Sequence, residues 1–282
     1  MSGSEIIAAA RSASMLSQNN KSHGRGEHRI DLYTPGHGYS ETLMTLLSGQ
    51  SIYTEDGGFW DFTADLKHGD TAYTNIALGA HTDTTYFTDP CGLQMFHLLS
   101  HVQGTGGQTL LVDGFHVASL LSALESESYK VLSAVPVPTH SAGASGDSPQ
   151  TMTYLYHPKP EVGYPIINHN PISGELIHVR YNNTDRSVMR HLKPEIVEAW
   201  YKALRSWNKL LTSPNSEYWV QLSPGTAVVI DNHRVLHGRS AFTGERRMCG
   251  AYITHDEFAS RLNVLRAKFE GLDSDSIWNP AL

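Results

Sequence analysis

Cysteine is almost missing from this chain: Cys91 and Cys249 are the two in 282 residues. Lying so far apart in the sequence, they exclude a disulfide framework as the source of stability and fit a reducing compartment. No apolar run approaches the ~20 residues that a membrane-spanning helix needs, so a soluble protein without a membrane partner is expected. There is no long basic block either, and the formal net charge is −7; both argue against nucleic acid as the main partner. What is present is ordinary for a globular protein, with 40% hydrophobic and 17% charged residues in a length that suits one large domain or two small ones. Histidine is abundant at 16 residues, but number alone identifies no ligand.

Residues 1–50 carry little periodic apolar pattern and are expected to be a poorly ordered or atypical N-terminal segment. They lack the apolar core of a secretory signal. Arg11 and Arg25 stand against Glu5 and Glu27, so cytoplasmic and mitochondrial locations both stay open. From Ser51 the texture changes to short apolar, β-branched and aromatic runs between Gly, Pro, Asn and Asp clusters, which reads as a β core. We expect strands at Thr109–Val112, Thr153–Tyr156, Ile177–Tyr181, Trp219–Leu222, Ala227–Ile230 and Cys249–Ile253, with a hairpin loop over Asn170–Gly174. Helices are expected at His116–Leu124, Pro194–Leu211 and Glu257–Phe269. In the second, Ile196, Val197, Trp200, Ala203, Leu204, Trp207 and Leu211 form one apolar stripe behind a Pro suited to the first turn. The third has Phe258, Leu262, Leu265 and Phe269 on one face, and Ala142–Gln150 reads as a mobile loop. The fold class is therefore mainly β with flanking helices, in one domain spanning 51–282.

The chemistry concentrates at Gly79-Ala80-His81-Thr82-Asp83. Two side chains separated by one residue at a strand end project to the same face, because the side-chain period of a strand is two. An imidazole and a carboxylate so placed can occupy neighbouring positions around one metal ion, and a distant histidine completes a face with three positions open, which suits an iron(II) oxygenase. The best distal residue is His237, carried by the apolar run Ala227–Ile230 to a turn expected at Gly238. His233 competes for the role, but its place just after the strand suits a structural hydrogen bond. His97, His101 and His140 are read as structural.

Three segments carry a family resemblance. They are His81-Thr82-Asp83-Thr84-Thr85-Tyr86-Phe87 running on to Gln94, Gly104-Thr105-Gly106-Gly107-Gln108-Thr109 running on to Phe115, and Asp231-Asn232-His233-Arg234-Val235-Leu236-His237-Gly238-Arg239. Together they resemble the trimethyllysine and γ-butyrobetaine dioxygenase family and, more remotely, taurine dioxygenase, over about Ser51 to Phe269. The resemblance implies a distorted double-stranded β-helix (jelly roll), iron(II), 2-oxoglutarate as co-substrate and O2, with L-ascorbate keeping the iron reduced. It implies hydroxylation of N6,N6,N6-trimethyllysine in carnitine biosynthesis, with γ-butyrobetaine as the alternative substrate.

By the same likeness, His81, Asp83 and His237 hold the metal, while Arg246, rather than Arg247, and Thr109 take the distal carboxylate of 2-oxoglutarate. A guanidinium suits that task because it pairs with a carboxylate through two parallel hydrogen bonds. Arg239 and Arg247 are read as structural or surface residues. Trp60, Tyr73 and Tyr252 match positions of an aromatic cage for a quaternary ammonium, which aromatic faces recognise and hydrogen bonds cannot. Asp70 and Asn182 resemble substrate contacts, with Asp70 suited to an α-ammonium group.

The family usually carries about a hundred further residues and an N-terminal domain with a structural zinc, for which this chain has no Cys/His cluster. Reduced solubility or activity relative to a longer chain is the expectation that follows, and an exposed sheet edge is its physical cause. A homodimer is compatible with the sequence. Two other readings stay open: a zinc-dependent hydrolase, which leaves Arg246 and Thr109 unexplained, and a non-catalytic binding subunit.

Overall fold

The computed structural model describes residues 59–63, 74–143 and 154–270. The expectations for residues 1–50, Asp70, Tyr73 and positions 144–150 of the Ala142–Gln150 loop lie outside them. Strands and helices follow one another as β1 (Phe59–Thr63), β2 (Leu78–His81), β3 (Leu93–Val102), β4 (Thr109–Asp113), α1 (Gly114–Leu124), α2 (Ser126–Ala134), β5 (Ser141–Gly143) and β6 (Tyr154–Tyr156). Then come β7 (Ile167–His169), β8 (Leu176–Val179), α3 (Pro194–Leu211), β9 (Glu217–Val220), β10 (Ala227–Asp231), β11 (Val235–Arg239), β12 (Glu245–Ile253) and α4 (His255–Glu270).

Two antiparallel four-stranded sheets dominate, in the orders β1-β12-β3-β10 and β2-β11-β4-β9. Their inner faces meet through Leu111, Val235, Tyr218 and Val220 of one sheet and Phe96, Val228 and Ile230 of the other. The outer face of the second sheet offers Leu110, Val112 and Leu236 to the helices, where Val117, Leu121, Leu132, Trp200, Leu204 and Trp207 close over them. On the outer face of the first sheet, Leu93, Met95, Ala251 and Ile253 are covered by Phe258 of α4. Helices, sheet, sheet and α4 thus stack in order, and the inner faces are where a polar side chain stands out.

The six expected strands are present, with Trp219–Leu222 observed two residues earlier, as β9, and Ile177–Tyr181 observed as Leu176–Val179. The Asn170–Gly174 loop does join a hairpin, β7–β8. Its Asn170 Oδ1 accepts from the Ile172 and Ser173 N–H groups, and Gly174 adopts φ 73°. The stripe on α3 is buried from Trp200 to Leu211, with Ile196 left 40% exposed in the first turn. Helix α1 begins two residues before the expected start because Asp113 caps it, accepting from the N–H groups of Phe115 and His116. Phe269, expected on the buried face of α4, is exposed, and Ala142 and Gly143 belong to β5 rather than to a loop.

Strand β3 escaped the sequence reading because it is buried on both faces, so Leu93–Leu99 shows no alternation of apolar and polar residues. Helix α2 escaped it for the opposite reason, burying only Ser128 and Leu132 along nine mostly polar residues. The turn expected at Gly238 is a correction. Gly238 lies inside β11, opposite Leu110, where the pairing with β2 is irregular. A Cβ there would come within 2.5 Å of the Leu78 carbonyl oxygen, so the glycine marks a close approach of two backbones.

This layering makes the helical core sensitive to truncation. Leu121, fully buried in it, is expected to cost about 2–5 kcal/mol on Leu121→Ala. Val264→Ala, at an exposed position on α4, should stay within about 0.5 kcal/mol of wild type. Urea denaturation of the two variants checks this, and equal losses would mean that the core is misplaced.

Candidate active site

The β2–β11 ladder sets His81 directly opposite His237, with ring centroids 4.4 Å apart. Asp83 follows two residues after His81, and ligating atoms of the three side chains lie within 4.8 Å of one another. The nearer contacts are His81 Nε2 to Asp83 Oδ1 at 3.2 Å and His237 Nε2 to Asp83 Oδ2 at 3.7 Å. Side-chain exposures of 18% for His81 and 19% for Asp83, against 8% for His237, leave the cluster open on one side.

His81 is oriented to offer Nε2, and His237 is held neutral. Nδ1 of His81 is 2.8 Å from the Gly79 carbonyl, to which it donates, so the other nitrogen is left as the base. Burial, with the neighbouring His81 adding to it, pushes the His237 pKa down to about 3 against the pull of Asp83, so its ring is neutral at physiological pH. Burial also opposes charge on His81, but the hydrogen bond and attraction of Asp83 outweigh it and raise that pKa. For Asp83 burial again works against the charge. His237, His81 and Tyr252 together overcome it and hold the carboxyl well below the usual carboxylate range. Two imidazole nitrogens and a carboxylate on one open face form a donor set that fits iron(II).

Two residues steady the carboxylate from the opposite sheet. Nε2 of Gln94 and the hydroxyl of Tyr252, 3.0 Å away, both donate to Asp83 Oδ2. They are cross-strand partners on β3 and β12. Tyr252, expected in an aromatic cage, therefore has its phenol tied to the carboxylate. Gln94 was not singled out from the sequence, although a glutamine inside an apolar run was the available signal.

Beyond Asp83 the chain turns at Thr84, φ 56°. The following loop is clamped by buried Arg180, which donates to the carbonyls of Thr85, Phe87 and Thr88 and stacks on Tyr164 at 4.4 Å. Asn182 follows closely on Tyr181, whose carbonyl accepts from the Thr82 N–H at 2.7 Å. That brings Asn182 beside the His81–Asp83 segment, with its own Oδ1 accepting from the Thr184 N–H.

Trp60 on β1 lies over Gly250, where a Cβ would be 2.3 Å from its ring, and meets Phe96 edge-on at 6.1 Å. Phe96 in turn packs on the His237 ring at 4.9 Å. Trp60 and Tyr252 thus lie on the inner face of the first sheet, across from the histidine cluster of the second.

At the other end of β12, Arg246 is buried, and its guanidinium makes no hydrogen bond or ion pair among the described residues. Its stem runs across Gly107, and its head lies 5.4 Å from the Phe242 ring centroid, with Arg239 at 4.9 Å from the same ring. Arg239 is occupied by the carbonyls of Thr74 and Ile76. Burial, then the charge of Arg239, push the Arg246 pKa down to about 10, so it remains a cation at neutral pH. Thr109 is buried opposite Arg239 in the β4–β11 ladder. Arg247 faces outward in a bidentate pair with Asp61, and the His233 ring is stacked 4.0 Å from that of His178 and bonded to the Pro90 carbonyl, away from the cluster.

Against known proteins, a trimethyllysine dioxygenase of Meyerozyma guilliermondii is 48% identical over 213 residues, 75% of this chain and 51% of that protein. A mitochondrial trimethyllysine dioxygenase of Homo sapiens is 42% identical over 238 residues, 84% and 54% of the two chains. Gamma-butyrobetaine dioxygenase of Homo sapiens is 28% identical over 218 residues, 76% and 54%. The chain spans about half the length of the curated relatives it matches. In fold it is similar to the non-heme iron oxygenase OrfP crystallised with Fe and alpha-ketoglutaric acid, with a TM-score of 0.52, 20% identity, and 85% and 71% of the two chains covered. A family model described as taurine catabolism dioxygenase TauD, TfdA family matches residues 43–252. With that match covering most of its length, the chain belongs to the taurine catabolism dioxygenase TauD, TfdA family.

Proposed function

We propose that this chain is an iron(II)- and 2-oxoglutarate-dependent dioxygenase that hydroxylates N6,N6,N6-trimethyllysine to its 3-hydroxy derivative, a reaction of carnitine biosynthesis. The observation that carries the reading is the pairing of two sites between the facing sheets: an open face of two imidazoles and a carboxylate, and a buried cation with no anion among the described residues. The names of the relatives at 42–48% identity support this substrate over γ-butyrobetaine. We read the sandwich as a distorted double-stranded β-helix, supported by its two antiparallel sheets and by the OrfP likeness.

In this reading His81, Asp83 and His237 hold the metal through Nε2, a carboxylate oxygen and Nε2. Bound iron(II) supplies the redox chemistry by which O2 is reduced as 2-oxoglutarate becomes succinate and carbon dioxide and the substrate gains a hydroxyl. L-Ascorbate serves as the reductant that keeps the metal active. Arg246 pairs through its planar fork with the distal carboxylate of 2-oxoglutarate, the anion its buried charge lacks, and Thr109 donates a hydroxyl to the same group. Phe242 shields that pair from water. Trp60 and Tyr252 offer aromatic surface to the trimethylammonium group, completed by Tyr73, and Asp70 and Asn182 bind the amino-acid head. A mitochondrial location accords with the name of the human relative.

A zinc hydrolase has no use for a buried Arg246 that lacks an anion among the described residues, so oxygen dependence separates the two readings. Anaerobic reconstitution with iron(II), then admission of O2 with trimethyllysine, γ-butyrobetaine or taurine, should yield succinate with trimethyllysine. Succinate with γ-butyrobetaine alone would move the assignment to that reaction, and turnover with zinc and no oxygen would overturn it.

His81→Ala, Asp83→Ala and His237→Ala should each abolish succinate formation and metal retention, measured by metal analysis after desalting. Arg246→Ala should keep the metal but raise the 2-oxoglutarate requirement at least ~30-fold, since a buried charge pair is worth about 2–5 kcal/mol. An unchanged requirement puts the co-substrate carboxylate elsewhere. Trimethyllysine should bind better than lysine, as each desolvated cation–aromatic contact contributes about 0.5–2 kcal/mol; equal efficiency with both would remove the cage.

A further inference from the structure

The three side chains of the metal cluster are held by different means. His81 and His237 are cross-strand neighbours, so main-chain pairing fixes their spacing. Asp83 lies two residues past the last residue of β2, where the ladder has ended. A peptide enclosed at that point still needs a donor and an acceptor. Both come from one side chain. The Asp83 N–H donates to Asn232 Oδ1 at 2.9 Å, and Asn232 Nδ2 donates back to the Asp83 carbonyl at 3.1 Å.

The same Nδ2 donates to the Cys91 carbonyl at 2.9 Å and lies 3.2 Å from Cys91 Sγ. Asn232 is fully buried, and its own N–H donates to the Gly92 carbonyl at 2.8 Å. The carboxamide therefore presents to Asp83 what a neighbouring strand would have presented. One acceptor and two donors on a short arm are required, and among side chains asparagine supplies that combination. An aspartate lacks the donors, and a serine has a single hydroxyl.

We propose that Asn232 is a positioning residue for the Asp83 ligand, acting as a side-chain substitute for the missing β-ladder and so controlling metal affinity. The inference rests on the proposed function, in that the cluster is taken to hold a metal. Asn232 lies in the β10–β11 turn, just ahead of the strand that bears His237. One connection between the two sheets thus leads into the strand that bears the second histidine and also locates the carboxylate. Gln94 and Tyr252 orient the Asp83 carboxyl, whereas Asn232 places the backbone from which it extends.

Cobalt(II), whose visible absorption reports coordination, is the probe for the test. In Asn232→Ala its affinity should fall roughly 10- to 100-fold, the range found when partners that orient metal ligands are removed. Cys91→Ala removes the sulfur contact but leaves both bonds to Asp83, and Leu121→Ala weakens the helical core away from the cluster. Both controls should bind cobalt as wild type does, whatever their thermal stability.

Should circular dichroism show Asn232→Ala unfolded, Asn232→Ser, which can keep one bond to Asp83, carries the test with an intermediate loss. The proposal is overturned if either folded Asn232 variant binds cobalt as wild type does. It is also overturned if Leu121→Ala, at a comparable loss of melting temperature, loses as much cobalt affinity as Asn232→Ala does. A wild-type spectrum that His81→Ala leaves unchanged would overturn the metal centre itself, and the proposed function with it. Normal cobalt binding by Asn232→Ala, alongside its loss in His81→Ala, would overturn the role of Asn232 alone.

Discussion

A carboxylate enclosed as far as that of Asp83 stays charged only because several groups converge on it. Two imidazoles approach from the second sheet, and a carboxamide and a phenol approach from the first. Removing such a charge from water is costly unless its lone pairs are met, so each partner must be delivered to within hydrogen-bonding distance. That requirement reaches through the whole sandwich. The register β2–β11 aligns the histidines, the register β3–β12 aligns Gln94 with Tyr252, and face-to-face packing brings the two pairs to one carboxyl group. A one-residue slip in either ladder would turn the partners to the wrong face.

The same logic, with the sign of charge reversed, explains the far end of β12. Arg239 and Arg246 flank one phenylalanine ring, but they differ in what satisfies them. Arg239 spends its hydrogen bonds on the carbonyls of Thr74 and Ile76 and so fastens the segment leading into β2. Arg246 has no such partner among the described residues and is pressed by the neighbouring charge. A buried cation without a partner is unfavourable, and pairing with an anion relieves that cost.

Much of this was legible in the residues. The apolar stripe of α3 announced its length, because a helix buried on one side repeats its apolar residues every three or four positions. The spacing of His81 and Asp83 announced a pair of neighbouring ligands, although Asp83 lies two residues beyond the end of β2, where the strand period no longer places it. Strand β3 was hidden because burial on both faces erases the alternation that marks a strand. Gly238 was misread as a turn because a glycine forced by close backbone approach looks, in sequence, the same as one forced by a turn. Gln94 and Asn232 were passed over for a related reason: a neutral amide has no titratable signature, and its importance lies in which backbone or carboxylate it meets.

Sequence alone determined the chemical inventory: which residues can donate nitrogen or carboxylate to a metal, which guanidinium can meet an anion, and which runs must be buried. These follow from side-chain type and local period, and both are properties of neighbours along the chain. The tertiary structure decided which members of that inventory meet. It left Arg246, rather than Arg239, without a hydrogen-bond partner among the described residues, joined Tyr252 to Asp83, and set Asn232 where a strand was missing. Those choices depend on contacts between residues more than a hundred positions apart, and strand register and sheet packing, which no local pattern encodes, bring such residues together.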